Sequence, residues 1–147
     1  MVVESDRMEQ MLMAVATAYQ LPDAYERCVS FMLSALGPMR VQMPEMAATA
    51  FTQAASYWSG HKQGVSLEAQ KALLWGHLDR IARTKANDER EEAILRAVLF
   101  VLDVKPATGD IFVLLDWFVQ FLCGAGARDA DVVALLHEHL PVADSSR

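Results

Sequence analysis

His137-Glu138-His139 sets two imidazoles around a carboxylate, the nearest this sequence comes to a metal-ligand motif. Histidines that share an ion from one helix stand at i and i+3 or i+4, whereas at i and i+2 they diverge by about 200°. His139 joins the face of Val132 and Leu136 and His137 does not, so no metal site is expected there. Asp116 lies inside the apolar run 111–123, where burial raises a carboxyl pKa and suits it to acid–base work, with His77 as its partner in a central pocket. The structural alternative is an ion pair. Pro106 sits near the middle of the connection between the fifth and sixth predicted helices, with Arg96 ten residues before it and Asp116 ten after. An antiparallel hairpin brings those two charges level, and buried charges are normally paired. The spacing therefore favours a structural Arg96–Asp116 pair. Ser30, Ser34, Ser56 and Ser59 lack the glycines of a nucleophile elbow. Gly124-Ala125-Gly126 lacks the lysine and strand of a phosphate loop. No catalytic residue, metal or cofactor is expected.

The remaining candidates are surfaces. Asp88, Glu89, Glu91 and Glu92 form an anionic cluster at the start of the fifth predicted helix. Its bland reading is capping and solvation at a helix N-terminus; its functional reading is a docking surface for a basic partner. Tyr57, His61 and Lys62, around the Gly60 turn, make a second candidate surface. Of the eight methionines, Met39, Met43 and Met46 flank a loop and are the ones placed to line an adaptable groove.

Positioning these groups falls to helices throughout. Ser5 caps a first helix running to about Gln20, with Met8, Met11, Leu12, Val15 and Tyr19 on one stripe. Pro22 suits the first position of a second helix, buried through Tyr25, Cys28, Val29, Met32 and Leu36 and ended by Gly37-Pro38. The segment 37–44 has no period and reads as a loop. Pro44 opens a third helix, which stops at Gly60 and buries Ala47, Ala50, Phe51, Ala54 and Trp58. Ser66 caps a fourth, with Leu67, Leu74, Leu78 and Ile81 on one face. Asn87 or Asp88 caps the fifth, and Asp88 with Glu91 has capping-box spacing. The sixth, between a Thr108 cap and a Gly124 stop, is apolar on every side except the line through Asp116 and Gln120. Such a helix must be buried, and it is too short for a bilayer, which needs about 20 residues. Leu114, Trp117 and Phe118 are therefore expected inside. A short seventh helix, Val132 to Leu140 with a start near Asp129, precedes a frayed tail from Val142. The expected fold is all-α, a single-domain bundle of six main helices and a short seventh, with helices five and six central.

Composition narrows the function classes. A 147-residue chain with 53% hydrophobic and 22% charged residues can bury a sizeable core. Its net charge of −6 opposes nucleic acid and anionic membranes as ligands and suits a cationic protein partner. Cys28 and Cys123 fall in apolar helical patterns, and the N-terminus lacks the basic and apolar segments of a signal peptide. A reducing cytoplasm is the expected location. The run Ala54-Ala55-Ser56-Tyr57-Trp58-Ser59-Gly60, with Ser66-Leu67-Glu68-Ala69 after it, resembles small all-helical bacterial immunity proteins. The family pattern is a Trp-x-x-Gly helix end, a short turn and a Glu-Ala helix start; over about 20 residues this chain follows it, with Trp58 one residue nearer its glycine. The resemblance implies a protein that blocks the active site of a cognate toxin, often a nuclease. The cluster from Asp88 to Glu92 would then stand in for nucleic-acid phosphates. The alternative expectation is a helical adaptor or regulator acting through self-association.

Overall fold

The apolar spacing produces helices wherever it predicts them. The computed structural model describes residues 4–61, 66–82, 89–106 and 108–142, with side chains from Arg7 onward. It has seven α-helices among them: α1 Glu4–Ala18, α2 Tyr25–Leu36, α3 Glu45–Trp58, α4 Leu67–Ala82, α5 Glu89–Phe100, α6 Ile111–Gly124 and α7 Asp129–His139. No strand occurs among the described residues. The fold is all-α.

The helix ends are set by local hydrogen bonding. Ser66 caps α4 as its position suggests, its Oγ accepting from the Ala69 amide at 3.2 Å. Thr108 does not cap α6. Asp110 does, accepting from the amides of Phe112 at 2.9 Å and Val113 at 3.3 Å, while Thr108 Oγ1 accepts from the Asp110 amide. A carboxylate directly before the first helical residue is the stronger cap and faces the positive end of the dipole. The stop of α6 likewise shifts. Gly124 remains helical, and Gly126, at φ +113°, takes the left-handed conformation that reverses the chain into α7. Pro22 does not open α2, which begins at Tyr25 after a turn closed by the Ala24 and Tyr25 amides on the carbonyls of Gln20 and Pro22. The expected loop after α2 holds a 3-10 helix, Gly37–Gln42, with proline in its first turn. It buries Met39, and Met43 just beyond it is buried too. The proposed methionine groove is therefore core filling.

α5 and α6 pack closely, and α2 completes the centre by touching α3, α5, α6 and α7. Phe31 of α2 stands edge-on to Phe118 of α6 at 5.7 Å, and Phe118 stands edge-on to Phe100 of α5 at 5.8 Å. Leu114 and Phe118 are inside as expected; Trp117 is not, with 50% of its surface exposed. With α2 and α3 behind it, α5 is flanked by α4 on one side and α6 on the other, and these flanking helices pack on α5 rather than on each other. The outward side of α5 is left open between them.

Candidate functional site

That open side carries the stripe Glu89, Glu92, Arg96, Phe100 and Asp103, residues three or four apart and so aligned along α5 and its exit. Corresponding stripes face it from Lys71 and Trp75 on α4 and from Trp117 and Phe121 on α6. With Arg96, Leu99, Phe100 and Asp103 these four side chains line a groove of about 410 Å³, within the range of ligand-binding clefts; Glu89 and Glu92 continue the stripe beyond it. Trp75 and Trp117 are 44% and 50% exposed, leaving much of each ring in water. Arg96 lies between aromatic faces, its guanidinium carbon 5.8 Å from the Trp75 ring centre and 6.0 Å from that of Phe121. Its Nε donates to Glu92 at 3.0 Å. Phe121 is in turn braced by Phe100, with ring centres 6.2 Å apart.

The far end of the groove is fastened from three helices. Tyr25 Oη donates to the Asp103 carbonyl at 2.6 Å, and Trp58 Nε1 donates to the Val101 carbonyl at 2.9 Å. Lys71 donates to the Asp103 carboxylate. That bond holds the Lys71 pKa above its ordinary value, outweighing the opposing effect of partial burial. Tyr25 is likewise shifted upward, first by burial and then by the nearby Asp103 charge. The chain leaving α5 is thus held against α2, α3 and α4.

The expected Arg96–Asp116 pair does not form. Arg96 pairs with Glu92, while Asp116 accepts from Gln120 at 2.9 Å, one turn along its own helix. The register explains it. Ala93 comes closest to Gly124 and Arg96 to Phe121, so the hairpin does not turn about Pro106. Asp116 is level with the end of α5, about five residues or some 7.5 Å from Arg96 along the axis. The two also face opposite ways. Asp116 lines a separate recess of about 400 Å³ with Met8, Glu9 and Phe112 on the α1 side. His77 is not near it either: its Nε2 lies 3.2 Å from Glu91, on the α4–α5 side. The acid–base pocket of Asp116 and His77 is absent.

The acidic cluster divides. Glu91 turns to His77, Glu92 turns to Arg96, and Glu89 is exposed in the first turn of α5, two turns before Arg96. Asp88 lies outside the described residues. Around Gly60, which has φ +108°, Tyr57 packs edge-on to Trp58 at 5.2 Å. His61 Nδ1 is 3.2 Å from Ser59 Oγ, and Lys62 lies outside the described residues. His137 is exposed beside α1, and His139 is folded inward with its Nε2 buried without a hydrogen bond and 3.7 Å from Glu138. Among the described residues no group of three or more His, Cys, Asp or Glu could hold a metal, and no helix is long and apolar enough to cross a membrane.

Lys71, Trp75, Trp117 and Phe121 are the groove residues that spacing alone did not single out. The signal was present as matched i, i+4 pairs on α4 and α6, but treating α6 as buried all round concealed it. The family models, the curated proteins and the solved structures contain nothing that matches this chain.

Proposed function

We propose that this protein is a non-catalytic binding protein that holds another protein in the groove between α4 and α6. The observation that carries the reading is that two half-exposed tryptophans, Trp75 and Trp117, line one groove with Arg96. Tryptophan and arginine are the residues most enriched where interface energy concentrates, and a tryptophan left in water forgoes burial that a partner would supply. The separate thiols Cys28 and Cys123, neither in a disulfide, support a reducing, cytoplasmic setting.

The acidic end of the same stripe supports a narrower reading: an immunity protein that neutralises a cationic, nuclease-type toxin by covering its active site. Exposed Glu89 and the net charge of −6 favour such a partner by steering its approach. The test is affinity capture from the cells of origin with wild type, the Trp75→Ala/Trp117→Ala double variant and Glu89→Lys. A partner recovered by wild type and lost by the double variant is expected. Glu89→Lys should slow association at low salt, with the difference fading as ionic strength rises. The same proteins recovered by all three would remove the groove from the function. A wild-type chain that pairs only with itself would leave an adaptor acting by self-association.

A further inference from the structure

We infer that the groove receives an amphipathic α-helix of the partner and seats one of its carboxylates on Arg96, between Trp75 and Phe121. The inference rests on the groove being the working surface, and it adds the chemistry of the occupant. Arg96 is the centre of the argument. A guanidinium has five N–H donors, four of them on the two Nη atoms. Glu92 takes only the Nε hydrogen, and nothing among the described residues accepts from the Nη groups. The flanking rings hold the planar group in place. An oriented fork with its terminal donors unused fits a carboxylate through two parallel hydrogen bonds.

Width selects the secondary structure of the occupant. The Trp75 and Phe121 ring centres each lie within about 6 Å of the Arg96 guanidinium, so the cleft admits a side chain there and a helix about 10 Å across lies along its mouth. No sheet edge exists among the described residues for an extended peptide to join. Charge then sets the order along the occupant. The α5 stripe runs acidic at Glu89 and Glu92, basic at Arg96, apolar at Phe100 and acidic at Asp103, where Lys71 already meets the last charge. The complement is a helix with a basic residue facing Glu89, a carboxylate one or two turns on, and an apolar side chain beyond it between the tryptophans.

The experiment selects binders of the full chain from a displayed library of random 16-residue peptides, then measures enriched peptides by Trp fluorescence and circular dichroism. Enriched peptides should share one acidic position with apolar residues three or four places away, and should gain helix on binding. Replacing that acid by its amide, or Arg96→Gln in the protein, should each weaken binding at least tenfold, and both together should weaken it little further. Arg96→Lys should not restore affinity, and an unchanged thermal melt for each variant excludes misfolding as the cause. Peptides that bind through Trp75 and Trp117 but carry no acid, or whose losses add independently, would overturn the inference while leaving the groove as an interface. If no selected peptide is weakened by Trp117→Ala, both the inference and the groove fall. A dimer of this chain abolished by Trp117→Ala would make a second copy the occupant and overturn it as well.

Discussion

Single residues hold the turns that define the ends of α6. Gly126 reverses the chain at φ +113°, and a Cβ there would run into the guanidinium of Arg90. That guanidinium is fixed, because its Nε donates to the Ala125 carbonyl at 2.8 Å. Gly126→Ala should therefore meet both a strained backbone and a clash, and cost about 1–3 kcal/mol in urea unfolding. Adding Arg90→Ala should relieve only the clash. At the other end, Asp110→Ala should cost about 1 kcal/mol, the usual loss for a cap. Thr108→Ala should cost less, since its hydroxyl serves one amide outside the helix. Equal losses at the two positions would return the cap to Thr108. Both glycines and both cap candidates are visible in the sequence; what decides between the caps is the distance from each to the first buried residue of α6, Ile111, and that is set by packing.

At the scale of elements, periodicity locates each of the seven α-helices among the described residues, because a stripe at three and four residues has only one regular way to be buried. The register between helices was not legible. Residue counting about Pro106 pairs Arg96 with Asp116, whereas the contacts of Ala93 with Gly124 and of Arg96 with Phe121 hold α5 and α6 about one turn and a half away from that register. The connection is not a symmetric turn. It is drawn towards the bundle by Trp58 and Tyr25, whose polar atoms reach the carbonyls of Val101 and Asp103. Trp58→Phe keeps an aromatic ring beside Tyr25 but leaves the buried Val101 carbonyl without its donor. A group so deprived costs about 1–3 kcal/mol. The loss should appear in chemical unfolding together with a change in Trp117 and Trp75 emission, because the far end of their groove is released. A Trp58→Phe protein as stable as wild type would mean that the hydrogen bond does not hold the connection.

For the whole molecule, the acidic balance and the two thiols, Cys28 buried and Cys123 half-buried, set opposite limits on how the protein responds to pH. Composition shows the first, and only the fold shows the second. Cys28 is fully buried, and burial pushes its thiol up to about 12 from an ordinary 9.0. Cys123 also rises to about 12, first through burial and then through its hydrogen bond to Asp129 at 3.2 Å. A raised thiol pKa means that the folded state keeps a proton that the unfolded chain releases. Below pH 9 both states largely hold it and the thiols take nothing from stability. Above pH 9 the unfolded chain ionises first, and stability falls with rising pH until about 12. One such group contributes a slope of up to about 1.4 kcal/mol per pH unit. Lys71 and Tyr25 add to the loss mainly above their ordinary 10.5 and 10.0, so the thiols supply most of the slope between 9 and 10. Urea unfolding at half-unit steps across that interval should show stability falling in wild type and a shallower fall in Cys28→Ala, whatever the absolute cost of the smaller side chain. A slope unchanged by Cys28→Ala would leave Cys123 as the source, and Cys123→Ser would then have to flatten it. If neither substitution does, ionisation of the two thiols is not what limits this fold at high pH.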